Sequence, residues 1–127
     1  GGTIGSQMSV SSGVFTFPTT GVYLIEFTTM QSNGGQFKGA AYHRIKIQAT
    51  TNNSSYVDRA VGNNAIAMSA DTFTWYNNSH CSFIFDVTNT STHKVRFKVD
   101  ADRSDTSTTG SNTENETYMT FIRLGDT

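Results

Sequence analysis

The stretch Phe15-Thr16-Phe17-Pro18-Thr19-Thr20-Gly21-Val22-Tyr23-Leu24-Ile25 constrains the fold more than any other part of the chain. Phe15 and Phe17 alternate with Thr16, the period of a half-buried strand. Pro18 has no amide hydrogen for a sheet ladder, so it closes that strand. Gly21 admits backbone angles that other residues resist. Tyr23, Ile25 and Phe27 then put large side chains on one face of a second strand. The reading is strand, corner, strand, with both strands committed to one apolar layer.

The rest of the chain repeats that grammar. Period-two runs predict strands over residues 4–10, 13–17, 21–30, 42–49, 55–61, 65–75, 80–88, 93–101 and 116–124, separated by Gly, Asn, Ser and Thr. No helix of useful length is predicted. Short strands at this density specify an all-β sandwich or barrel. A chain of 127 residues is expected to form one domain, 1–127. Charged residues make up only 15%, below the ~25% of ordinary globular proteins. The polar surface must therefore be built from Ser, Thr, Asn and Gln.

Several strands show which way they face. Val95, Phe97 and Val99 alternate with Lys94, Arg96, Lys98 and Asp100, as in a sheet with solvent on its back. Ile45 and Ile47 alternate with Arg44, Lys46 and Gln48. Cys81, the single cysteine, shares a face with Phe83, Phe85 and Val87 and is expected to be a buried thiol. The last strand differs. Met119 and Phe121 lie on one face, while Tyr118, Ile122 and Leu124 lie on the other. One face can meet the core; the other needs a cover, either a loop of this chain or another subunit. Ile84 repeats the pattern opposite Phe83 and Phe85. Tyr118, Ile122, Leu124, Ile84 and, more weakly, Tyr42 are the expected interface residues.

The order Phe15, Pro18, Gly21, Tyr23 resembles the opening motif of C1q/tumour-necrosis-factor-like domains. The predicted hairpin His80–Ala101 is similar to that family's penultimate strand pair. Glu116-Thr117-Tyr118-Met119-Thr120-Phe121 resembles its closing strand, with Thr120 where the family has Gly. The ending Thr120–Thr127 is similar to the C-termini of such modules in phage tail and virion proteins. The resemblance spans about Gly13 to Leu124. It implies an antiparallel jelly-roll sandwich, a homotrimer, and binding without chemistry. Phe15, Phe17, Pro18, Gly21, Tyr23, Phe83, Phe85, Phe97 and Phe121 are then the fold-determining residues. The opening Gly1-Gly2-Thr3 lacks Met, as expected of the C-terminal head of a longer chain.

In such a fold every second loop lies at the same end. The loops Thr50–Ser54, Asn77–Ser79 and Asp102–Asn115 would cluster away from the C-terminus, and binding residues concentrate on such loops. Asn52, Asn53, Tyr76, Asn77, Asn78, Ser104, Thr108 and Asn112 are the candidate contacts. Trp75-Tyr76 followed by two amides could form a platform for a sugar ring, but Trp75 is expected in the sandwich core, while for Tyr76 core and surface are equally open. The expected target is a host cell-surface glycan or protein, and the expected location a virion appendage. A secreted recognition or signalling module and a capsid decoration or trimerisation domain are the other readings.

Chemistry finds little support. No G-x-S-x-G elbow is present. His43, His80 and His93 have no metal-ligand spacing. Glu26, Glu114 and Glu116 are not paired by the sequence as a glycosidase requires. The chain therefore reads as a non-enzyme with no cofactor. Asp100, Asp102 and Asp105 offer three oxygen donors in one turn, a candidate Ca²⁺ site lacking the Gly and distal Glu of an EF-hand. Five Asn-x-Ser/Thr sequons begin at Asn52, Asn53, Asn77, Asn89 and Asn115. They would carry glycans only in a secreted protein. A net charge of −1 offers no field for nucleic acid, and no apolar run reaches a membrane span.

Overall fold

In a computed structural model, which describes residues 2–34 and 38–127, the strands form two antiparallel sheets packed as a sandwich. The strands are β1 (Ser9–Ser11), β2 (Val14–Thr16), β3 (Gly21–Gly34), β4 (Ala40–Thr50), β5 (Val57–Ile66), β6 (Thr74–Val87), β7 (Lys94–Ala101), β8 (Ser107–Thr109) and β9 (Tyr118–Gly125). One sheet, the β4 sheet, has the order β1-β2-β7-β4-β5. In the other, the β3 sheet, β3 is central. It pairs with β6 on one edge and with β8 and then β9 along the other. No helix occurs among the described residues.

The corner predicted from Phe15 to Ile25 forms as read. Phe17 is buried, with its ring 4.7 Å from Tyr23 and 5.8 Å from Phe85. The Tyr23 hydroxyl donates to the Thr19 carbonyl at 2.9 Å, so the second strand ties down the corner that precedes it. Gly21 has φ of 145°, and a Cβ there would lie 2.6 Å from the Gly125 carbonyl oxygen. Only glycine lets β3 start this close to the end of β9.

The core lies between the sheets. Phe17, Tyr23, Ile25, Phe27, Ile45, Ile47, Ala49, Cys81, Phe85, Val87 and Val95 are buried there, with Phe15, Phe83, Phe97 and Phe121 packed against them. Phe121 meets Phe15, Phe17 and Phe97 at 5.4, 6.3 and 5.9 Å. At Gly62 the backbone of β5 crosses close to β6, where a Cβ would collide with the His80 carbonyl oxygen.

Three boundaries differ from the sequence reading. Residues 4–8 are outside any strand, and only Ser9–Ser11 pairs. Residues 67–73 form the β5–β6 connection, so the predicted strand 65–75 does not exist. Asn77–Ser79 is no loop; it continues β6, pairing rung by rung with Met30 and its neighbours in β3. One strand fewer precedes β7, and this reverses the placement of the earlier loop. Thr50–Ser54 lies at the end where β3 begins, with the Asn53 amide donating to the Thr92 carbonyl at 2.9 Å. The segment after β7 lies at the opposite end, where the Asp102 amide reaches the Tyr42 carbonyl. The three loops do not share one pole.

Candidate functional site

The two ends of the sandwich differ in chemistry. Along its inner side β3 presents Tyr23, Ile25 and Phe27, then Thr29, Gln31 and Asn33, all buried. β4 presents Ala49, Ile47 and Ile45, then His43; β6 presents Phe85, Phe83 and Cys81, then Ser79 and Asn77. The core is aromatic and aliphatic at the Gly21 end and made of amides, hydroxyls and one imidazole at the Gly34 end.

This polar end is partly satisfied by its neighbours. Ser79 Oγ donates to the His43 carbonyl at 3.1 Å, and His43 Nε2 and Thr108 Oγ1 lie 2.9 Å apart. Asn33 Nδ2 donates to Thr106 Oγ1 at 3.3 Å. Asn64 Nδ2 donates to Asn77 Oδ1 at 2.8 Å, and Asn77 Nδ2 to the Ala65 carbonyl at 2.8 Å. Thr109 and Thr117 hold β8 to Met30 through their hydroxyls. Thr29 Oγ1, both amide atoms of Gln31, Asn33 Oδ1 and His43 Nδ1 have no partner among the described residues. Burial pushes the His43 pKa below its ordinary value, because the imidazolium loses hydration there. The array offers amide, hydroxyl and imidazole donors and acceptors facing the interior of the sandwich.

Exposed rings stand at the same end. Trp75 pairs with Asn33 across the β3–β6 ladder and is 43% exposed, so it is not core. Tyr76 beside it and Phe73 and Met68 in the β5–β6 connection are also exposed. The sequence reading placed Phe73 and Met68 inside a strand, took His43 only as a rejected metal ligand, and overlooked Gln31 and Asn33. The available signal was period two: Thr29, Gln31 and Asn33 continue the inner row of Tyr23, and His43 that of Ile45.

The other candidates fall in different places. Asn77 belongs to the polar array, while Asn78 lies on the outer face of the β3 sheet, opposite Met30. Thr108, exposed in β8, is joined to His43; Ser104 and Asn112 are exposed at the surface of the 102–117 segment. Asn52 and Asn53 sit at the far end. There Asn52 Oδ1 accepts from the amides of Ser54 and Ser55 at 3.1 and 2.8 Å, which shapes its own turn.

The three aspartates of the candidate Ca²⁺ site are dispersed. Asp100 faces Arg44 on the β4 sheet. Asp102 accepts from the Ala41 amide at 2.9 Å. Asp105 pairs with Arg103 at 2.9 Å and Lys38 at 3.5 Å, and the guanidinium holds its carboxyl well below the usual range. No group of three potential ligands forms among the described residues.

The outer face of the β3 sheet carries an apolar row. Ile122 pairs with Leu24, and Leu24 with Ile84, so the three side chains line up across β9, β3 and β6. Ile84 is 60% exposed, Leu124 56% and Ile122 46%. The next rungs hold Thr120, Glu26 and Ser82, then Tyr118, Thr28 and His80, with Thr28 Oγ1 and His80 Nδ1 2.9 Å apart. Four of the five expected interface residues thus share one face. Tyr42 does not. It lies on the β4 sheet, with the Arg44 guanidinium 5.1 Å above its ring. No protein-family model and no curated protein sequence matches this chain.

Proposed function

We propose that this chain is a jelly-roll sandwich of the C1q/tumour-necrosis-factor type. It assembles as a homotrimer and serves as the non-enzymatic, receptor-binding head of a phage tail fibre or related virion appendage. Strand order supports the fold: apart from the β1–β2 and β4–β5 hairpins and the β8–β9 step, successive strands alternate between the sheets, as jelly-roll wrapping requires. The row Ile122–Leu24–Ile84 carries the reading. Three aliphatic side chains in register on an otherwise unopposed sheet face gain most when another subunit removes them from water. Trp75, Tyr76 and Phe73, near the amide array, form the target-facing tip. A ring with amide donors suits a sugar, and aromatic rings anchor protein contacts equally well. Three tips on one head multiply a weak single contact by avidity.

The test has two arms. Ile122→Asp is expected to give monomer or aggregate by light scattering, and a soluble, well-folded trimer from it overturns the interface. Trp75→Ala with Tyr76→Ala is expected to remain trimeric and lose binding on a glycan array or to host cells. Unchanged host adsorption by that variant favours a purely structural decoration instead.

A further inference from the structure

The whole-chain charge of −1 conceals a segregation that the fold creates. On β4 and β7 the residues alternating with the buried His43, Ile45, Ile47 and Val95 all point outward. Their rungs are Arg44 opposite Asp100, Lys46 opposite Lys98 and Gln48 opposite Arg96, with Lys94 one step beyond, beside the buried Thr50. Five of the chain's nine Lys and Arg therefore stand on one sheet face, with only two of its ten Asp and Glu, Asp58 and Asp100.

The arrangement is charged beyond what the protein itself neutralises. Lys46 pairs with Asp58 at 2.8 Å. Among the described residues no carboxylate lies within ion-pair distance of Arg44, Lys94, Arg96 or Lys98. Lys46 and Lys98 oppose each other directly, a repulsive cross-strand pair that a bound anion would relieve. Lys94, Arg96 and Lys98 follow at every second residue, so β7 displays a cation about every 7 Å. Both arginines are held in place. Arg96 donates through Nε to Gln48 Oε1 at 2.7 Å and lies 4.1 Å from the Tyr56 ring centre, and Arg44 sits over Tyr42. Fixed guanidinium groups lose little freedom on binding.

We propose that this face of the β4 sheet docks a linear acidic polysaccharide bearing about one carboxylate per sugar. A nucleic acid fits less well. The Tyr42 and Tyr56 rings are each covered by an arginine, so among the described residues no free ring remains between the cations for a base to stack on. The polysaccharide's carboxylates meet the cations at short range, and the exposed Asn63 on the same face, opposite Arg44, supplies a neutral partner for sugar hydroxyls. The face is on the opposite side of the sandwich from the Ile122–Leu24–Ile84 row, so it stays open whether or not the chain assembles through that row.

The experiment is titration calorimetry of the intact chain with polygalacturonate oligomers at low salt, beside neutral dextran and a thymidine oligonucleotide of matched length. Polygalacturonate is expected to bind and to be released as salt rises, with dextran silent and the oligonucleotide weaker. Lys98→Gln with Lys94→Gln should lower the affinity about tenfold. Lys98→Gln alone should leave the thermal midpoint equal or higher, because the Lys46 repulsion is gone. The proposal is overturned by no binding of polygalacturonate, by equal binding of dextran, or by tighter binding of the oligonucleotide. Undiminished affinity in the folded double variant overturns it as well.

Discussion

His43 shows what a single side chain imposes on this fold. It occupies an inner position of β4 in line with Ile45 and Ile47, yet carries an ionisable ring. Its pKa in the folded chain lies below the ordinary 6.5. As pH falls, the unfolded chain takes up the proton first, so folding is penalised. The contribution of His43 to stability is therefore complete above about pH 6.5 and is lost as pH drops towards the lowered folded value. In urea titrations the unfolding midpoint should fall between about pH 7.5 and pH 5.5, and more steeply than in His43→Gln. Parallel pH profiles for the two proteins would refute a role for this ring.

At the scale of the element, β9 tests how far an alternating pattern determines packing. Its inward Phe121 joins Phe15, Phe17 and Phe97 in one aromatic group, binding the β3 sheet to the β4 sheet. Phe121→Ala should cost about 3 kcal/mol, seen as a lower denaturant midpoint with little change in m-value. The two faces of β9 were legible in the sequence because alternation is local. So were Val95 and Phe97 against Lys94, Arg96 and Lys98. The course of β6 was not. Trp75-Tyr76-Asn77-Asn78-Ser79 has the composition of a turn, and what makes it a strand is the ladder supplied by β3, a partner more than forty residues away. The same limit hid the polar array. Gln31 and Asn33 read as surface residues until β3 is seen to continue between the sheets to Gly34.

At the scale of the molecule, three surfaces of different chemistry are kept apart by the two-layer architecture. The aliphatic row is on one outer face, the cations are on the other, and exposed rings stand at one end. Alternation along each strand separates core from surface, and strand order decides which surface residues become neighbours. Charge counted along the chain could not reveal the basic face, because Lys46 and Lys98 meet only through the β4–β7 register. Between the faces lies Cys81, buried, with desolvation pushing its thiol pKa up. A thiol reacts as its thiolate, so this one is shielded twice, by access and by protonation. It is a clock already installed in the protein. With a maleimide dye, the native chain should label only as fast as its two layers part. Gly62→Ala, which forces a methyl group against the β6 backbone beside that thiol, should make the clock run faster. Equal labelling rates in the two proteins would mean that the dye reaches Cys81 without the layers separating.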